Sequence, residues 1–406
     1  MKESEVTGQT VLVSGGGIAG ATVAFWLQRH GFNPTVIERA PSRRDSGQNV
    51  DVRGLGRDVL RRMGIENRVR DAGTGEIGLR FVDETGRSIA QFPAGEAGDR
   101  DGPTAELEIL RGDLVRILID ATKDSVEFRY GTSISSINQD EHGVDVTFAD
   151  GSVQRFDLLI VAEGIRSTTR NVVFGAEPKY RDLGYYTAYF STARSDEDDQ
   201  WWRWYSATGG RSVQLRPDNV GGTRVCLNFP SPPIGLEAAD RDTQARALGD
   251  VYRDVGYCAP RVLAGLAEDP SSLYVDRIAQ VKLPCWRAGR VAVVGDAAYC
   301  ATPISGMGTS LALIGAYLLA GELATHADHT VAYAAYEKQM RPIAQAAQKL
   351  PPGVPRIVNP TSRLGLQLLR LAVRLAAAAP VSAVMNRVAP RSRIGGAVLP
   401  EYGSRP

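Results

Sequence analysis

The stretch from Thr10 to Glu38, TVLVSGGGIAGATVAFWLQRHGFNPTVIE, decides how the chain is read. Val11 to Val13 form a short apolar run that reads as a buried strand. A glycine turn follows, then an amphipathic helix to about His30, a stop at Gly31, and a second strand ending in an acid. Gly15, Gly17 and Gly20 stand at G-x-G-x-x-G spacing. Gly15 lets the chain leave the strand in a tight turn, Gly17 has no Cβ to block a pyrophosphate, and Gly20 lets the helix pack close to the sheet. The amides that open the helix, around Ile18 and Ala19, face the phosphates, where the helix dipole favours negative charge. Glu38 can accept hydrogen bonds from free ribose hydroxyls, so the site suits the ADP ribose of FAD or NAD better than that of NADP. Gly73, Gly75 and Gly78 repeat the spacing but neither follow a buried strand nor open an apolar helix, so they are set aside.

The chain has 406 residues, room for two or three domains. Its net charge of +1 gives no reason to expect nucleic acid or an anionic surface as partner. Cys226, Cys258, Cys285 and Cys300 are scattered singly, which excludes a C-x-x-C redox pair and metal-type spacing and points to a reducing cytoplasm. The first ten residues are polar and read as no signal peptide. His30, His142, His326 and His329 lie in helix ends, turns or loops and read as structural or solvated.

The pattern predicts an α/β protein in which a Rossmann-like nucleotide-binding domain (1–75, 101–175 and 283–350) is interleaved with a mixed β-sheet domain (76–100 and 176–282). Residues 351–406 form a C-terminal helix and tail. The hairpin at Leu79 to Val82 and Ser88 to Phe92 does not continue a βαβ unit and reads as the first visit to the second domain. Aromatic-rich alternating strands follow: GYYTAYFS, QWWRWYS, SVQLR and TRVCLNF. On QWWRWYS, Trp202 and Trp204 share one face while Trp201, Arg203 and Tyr205 share the other. One face packs on helices and the other is free to line a pocket, and alternation alone does not say which. Tyr186, Ala188 and Phe190, against Tyr185, Thr187 and Tyr189, pose the same choice. Arg53, Tyr186, Phe190, Trp202, Trp204, Arg203, Arg211 and Gln214 are the candidates for substrate contact. The acidic run Asp196 to Asp199 reads as a solvated loop tip. The helix from about Leu364 to Val388 is apolar, but Arg370, Arg374 and Pro380 interrupt it. It reads as a packed bridge between the domains rather than a membrane span.

Two further motifs follow the first. A buried strand runs into Glu163 and Gly164, and another into Gly295 and Asp296, followed by Pro303 and Gly306-Met307-Gly308. With these three motifs in this order, the chain resembles the FAD-dependent aromatic hydroxylases of the p-hydroxybenzoate hydroxylase fold. It looks most like the bacterial enzymes that modify tetracyclines and related polyketides. The family usually carries Asp where Glu163 stands. The resemblance implies Arg39 near the adenosine, Arg111 on the phosphate or ribityl region, Asp51 beside the flavin, and Asp296 on a ribityl hydroxyl. It also implies FAD as resident cofactor, NADPH or NADH as transient reductant, and O2 activated as a flavin C4a-hydroperoxide. The substrate would be an aromatic or polyketide small molecule, hydroxylated without any catalytic side chain of fixed identity. A cytoplasmic monomer or dimer, serving antibiotic biosynthesis or resistance, is the corresponding expectation. A reductase, a Baeyer-Villiger oxygenase, a halogenase or a non-catalytic flavoprotein on the same fold are the alternatives; for the halogenase, Trp202 and Trp204 only half meet W-x-W-x-I-P.

Overall fold

The computed structural model describes residues 8–43, 47–94, 107–122, 125–175, 178–351, 353–378 and 398–403. Thr10–Ser14 lies inside a six-stranded sheet. The order is Arg287–Ala288, Val291–Val293, Leu158–Val161, Thr10–Ser14, Asn33–Glu38 and Glu127–Tyr130. All pairs are parallel except the first. Strands covered on both faces need unbroken apolar runs, and Val11 to Val13, Leu158 to Val161 and Val291 to Val293 supply them, all buried. The helices Ile18–Arg29 and Gly308–Thr325 pack against one another in this core. Gly308–Thr325 is the one described helix long and apolar enough to cross a membrane, and it is buried from Thr309 to Leu323.

The second large sheet has seven strands. The order is Tyr274–Lys282, Lys179–Ala193, Gly222–Pro230, Arg211–Pro217, Trp201–Ala207, Gly78–Val82 and Ser88–Pro93. The early hairpin thus joins the middle region, its strand Gly78–Val82 running parallel to Trp201–Ala207. Gly78, part of the discarded glycine repeat, has φ +148° and leaves room for the Trp201 ring. Helices Arg241–Tyr252 and Ala259–Glu268 cover one face, through Leu248, Tyr252, Val262 and Leu266.

That packing resolves the choice of faces. Tyr186, Ala188, Phe190, Tyr205, Val213, Leu215, Val225 and Leu227 form the helix-covered core. Alternation then places Tyr185, Thr187, Tyr189, Trp202, Trp204, Ser206, Gln214, Arg216, Cys226 and Asn228 on the opposite, open face.

The acidic run divides: Asp196 and Glu197 are exposed as a solvated tip would be, whereas Asp198 and Asp199 are held by arginines. Asp198, 6% exposed, holds Arg261 at 2.8 Å, and Asp199 pairs with Arg203 and Arg80. These carboxylates tie the connector to a helix and two strands because three arginines converge on it.

The C-terminal region touches both parts of the molecule. Helix Arg363–Ala377 leans on the edge strand Ser88–Pro93, and Arg370 pairs with Glu84 in the turn that precedes that strand. None of its residues is buried, and the expected stretch from 379 to 388 lies outside the described residues. Tail residues 398–403 dock on the far side. There the Tyr402 ring fills the space a Cβ on Gly321 would take, and its hydroxyl donates to Glu322 at 2.6 Å. Arg62 donates to the carbonyls of Pro400 and Leu399.

Candidate functional site

Four turns leave the parallel sheet at its carboxyl edge, where open α/β sheets bind ligands. They are Gly15 to Gly17 after the first strand, Glu38 after the second, Glu163 and Gly164 after Leu158–Val161, and Gly295 and Asp296 after Val291–Val293. Gly15 has φ +113°, and a Cβ there would lie 2.6 Å from the Ala162 carbonyl oxygen. A Cβ on Gly20 would collide with the Gly15 carbonyl. Around Gly17 the space is open, the nearest atom being Arg111 Nη2 at 3.5 Å from such a Cβ. Glu38 accepts from the Gly16 and Ala40 amides at 3.0 and 2.9 Å, which pins the carboxylate beside the turn. Arg39, next to it, is exposed.

Two long helices open onto this edge with no side-chain cap and no acid in the first turn: Ile18–Arg29, from Gly17, and Gly308–Thr325, from Met307. By contrast, Asp240, Asp328 and Ser362 cap helices elsewhere. Uncapped amides in a cleft suit an anion. Between the two lies the loop Thr302 to Gly306. Thr302 adopts φ +86° and its buried Oγ1 has no protein partner, while Pro303 opens a short turn closed by Gly306 at φ +62°. Burial raises the Asp296 carboxyl above its ordinary value, and Arg111 opposes the shift. These features fit FAD: a glycine cradle for a pyrophosphate, an acid for a ribose, and a strained loop with an orphaned hydroxyl beside the uncapped helix start at Gly308 for a polar ring edge.

Glu163 does not face the crevice with a free carboxylate. It accepts from Ser14 Oγ and Thr169 Oγ1 at 2.5 Å, from Ser167 Oγ at 2.7 Å and from the Thr169 amide at 3.1 Å. The longer acid bridges the end of the central strand to the start of helix Thr168–Phe174. Arg166, from the same turn, reaches Asp276 and the Val275 carbonyl in the seven-stranded sheet, at 2.8 and 2.9 Å.

The open face of that sheet carries an aromatic row. Trp202 and Trp204 have ring centroids 5.6 Å apart, Trp204 stacks on Phe81 at 5.8 Å, and Trp202 Nε1 donates to Gln214 Oε1 at 3.1 Å. Of the candidates for substrate contact, Trp202, Trp204 and Gln214 are therefore together. The other four on this sheet are elsewhere. Tyr186 and Phe190 lie in the helix-covered core, with the Tyr186 hydroxyl on Glu237. Arg203 faces the same side and bonds Asp199 and Tyr257, and Arg211 clamps the end of helix Arg241–Tyr252 through the Val251 carbonyl and Asp254. Tertiary packing of two helices, invisible to strand periodicity, decides this.

Asp51 and Arg53 pair at 2.8 Å on and just after the strand Asn49–Val52, and the Arg53 amide donates to Ser310 on the core helix. They border a cluster that the motifs did not reveal. Arg216 lies 2.7 Å from Glu76, 3.5 Å from Asp51 and 3.7 Å from Glu108, and Thr74 donates to Glu108. Burial works against the charge of Arg216, but the three carboxylates outweigh it and keep the guanidinium ionised. Burial pushes the Glu76 carboxyl up to about 7, with Glu108 and Asp51 adding repulsion and Arg216 opposing; Glu108 is raised for the same reason. A raised carboxyl makes the folded state bind the extra proton between about pH 4.5 and 7. Its contribution to stability is therefore lost as pH rises through that window. Glu76→Gln should flatten the fall in stability there by up to about 1.4 kcal/mol per pH unit, read from denaturant melts at several pH values.

A parallel nucleotide-binding sheet with this crevice, together with a second, aromatic-rich sheet, fits the class of FAD-binding proteins. Residues 9–350 match the model of the FAD binding domain family, and the chain belongs to it. The chain is 36% identical to the flavin-dependent monooxygenase eupH of a Phoma species, covering 98% of each. It is also 36% identical to a flavin-dependent monooxygenase of Legionella longbeachae, over 84% of this chain and 87% of that one. Among solved structures, tetracycline destructase Tet(51) superposes with a TM-score of 0.80 at 31% identity, covering 98% of this chain and all of that one. The protein is an FAD-dependent monooxygenase.

Proposed function

We propose that the protein hydroxylates an uncharged, oxygen-bearing aromatic or polycyclic small molecule of polyketide type, using NAD(P)H and O2. Two buried polar groups on the open face carry this reading. Trp204 Nε1 and Ser206 Oγ, on the same side of one strand, have no protein partner, and a buried donor left unmade costs about 1–3 kcal/mol. A ligand oxygen would satisfy each. The flanking Gln214, Asn228, Thr187 and Tyr189 add neutral hydrogen-bonding groups beside the Trp202–Trp204 row, which suits a flat ring. The neighbouring similarity to a tetracycline destructase supports a polycyclic substrate.

Bound FAD supplies the redox chemistry and the activation of O2. In this reading Gly15, Gly17, Ile18, Ala19 and Gly20 seat the pyrophosphate, and Glu38, with Arg39 beside it, holds the adenosine side. Arg111 and Asp296 hold the middle, with Gly164 and Gly295 giving the backbone room it needs to approach. The turn from Pro303 through Gly306 and Met307 shapes the approach, and the uncapped helix start at Gly308 would present amides to the ring. The chain's own task is to hold a substrate ring against the aromatic row and keep water out, since no side chain has to act as a nucleophile.

Oxygen uptake by the FAD-loaded protein with NADPH or NADH, with and without phenols, anthraquinones and tetracyclines, and with catalase to expose peroxide, tests the proposal. The expected result is stimulated uptake with one oxygen gained by a panel member. Consumption of NAD(P)H without oxygen uptake would overturn it in favour of a reductase.

A further inference from the structure

Arg216 closes strand Arg211–Pro217 on the open face, and its guanidinium is engaged on several sides. Nε and Nη2 meet the two oxygens of Glu76 at 2.7 and 3.0 Å, and Asp51 and Glu108 stand at 3.5 and 3.7 Å from Nη2. Its flat face lies 4.4 Å from the centroid of the Trp202 ring. The Arg216 side chain is 13% exposed and that of Glu76 only 1%. Trp202 then connects to Gln214 by a hydrogen bond and to Trp204 by ring contact. A planar, forked cation that must satisfy a bidentate carboxylate has one orientation, and a ring stacked on it inherits that orientation.

We propose that Arg216 is a positioning residue: locked by its two hydrogen bonds to Glu76, with Asp51 and Glu108 as further counter-charges, it sets the plane of Trp202 and, through it, the tilt of Trp204, so that the Trp204 indole N–H and the Gln214 amide stand where a ligand oxygen needs them. The inference rests on the open face being the substrate wall. The four members of the cluster come from four places in the chain. Asp51 comes from the strand Asn49–Val52, Glu76 from the turn before Gly78, Glu108 from strand Leu107–Leu110, and Arg216 from the seven-stranded sheet. The tilt of the two indoles is thus set by the seam between the flavin-binding part and the sheet.

The test uses the FAD-loaded enzyme with whichever panel member stimulates it most, and two readouts. One is KM together with the fraction of NAD(P)H converted to product. The other, measured on free protein, is the far-ultraviolet exciton couplet of two indoles 5.6 Å apart. Trp204→Phe should remove the couplet and raise KM on the order of tenfold, one hydrogen bond to a ligand oxygen. Arg216→Lys, which keeps the charge but cannot stack and fork together, should shrink the couplet, raise KM by a similar factor and waste NAD(P)H, while FAD content stays at parent level. Glu76→Gln frees one anchor, keeps Arg216 and should give a smaller change of the same kind; it decides the matter if Arg216→Lys does not fold. If Trp204→Phe raises KM while the folded anchor variants leave KM or the couplet unchanged, the positioning role is overturned and the open face stands as the substrate wall. If Trp204→Phe and Gln214→Leu leave KM unchanged for every accepted substrate, the open-face reading falls, and the positioning role with it.

Discussion

Gly17→Val is expected to give a protein that folds, melts close to the parent and purifies without flavin colour. The backbone at Gly17 is extended, with φ −79° and ψ −169°, which a branched residue adopts readily. A Cβ there meets nothing closer than Arg111 Nη2 at 3.5 Å, so the fold has room for it. The room is where a pyrophosphate would approach the uncapped helix start, and a valine would stand in it. FAD affinity should fall on the order of 100-fold, about 3 kcal/mol, read by fluorescence titration of the apoprotein. Gly15→Ala, two residues away, should fail differently. It forces an L side chain to φ +113° and drives its Cβ against the Ala162 carbonyl, so the loss appears as low soluble yield and a reduced melting temperature. Were Gly17→Val to keep its flavin, the crevice would not hold the pyrophosphate at this turn.

The contrast between those two glycines also shows what the sequence could and could not convey. The nucleotide crevice was legible because its determinants are local: a strand, three spaced glycines, a helix and an acid within 29 residues. The two later motifs were legible for the same reason, each being a buried strand that ends in an acid and glycine. The hairpin at 78–93 was recognisable as foreign to the βαβ pattern, and it pairs with Trp201–Ala207. The face of the aromatic strands was not legible, because a period of two fits either face equally. Only helices Arg241–Tyr252 and Ala259–Glu268, packing through Leu248 and Val262, break that symmetry. Tyr186, Phe190, Arg203 and Arg211 were displaced from the candidate wall for that reason alone. The cluster around Arg216 was further out of reach: Glu76 is 140 residues away from it, and no spacing rule links them. The orphaned indole of Trp204 is likewise a property of packing, since any exposed tryptophan would satisfy its N–H with water. For Glu163 the local sequence does carry a signal: the run Ser167, Thr168, Thr169, beginning four residues after the acid, offers hydroxyl and amide donors.

Removing that acid should be strongly destabilising. In Glu163→Ala, Ser14 Oγ, Ser167 Oγ, Thr169 Oγ1 and the Thr169 amide all lose their acceptor at once. Ser14, Ser167 and Thr169 are themselves buried, so water cannot fully replace it. Bonds to a charged acceptor carry about 1.5–3 kcal/mol each, yet these four are coupled through one carboxylate and do not add. A total of ~3–5 kcal/mol is expected in a denaturant melt. Glu163→Gln keeps one acceptor oxygen but turns an amide NH2 toward donors on the other side, so it should recover about half the loss. Glu163→Asp is the informative variant. One methylene shorter, the carboxylate cannot reach Ser14 at the end of the central strand and still accept from the helix start at Ser167 and Thr169. Because Ser14 immediately precedes Gly15, slack there passes into the glycine turn, and FAD affinity should fall together with stability. An aspartate variant as stable and as tightly flavinated as the parent would show that the bridge from strand to helix does not depend on the length of this side chain.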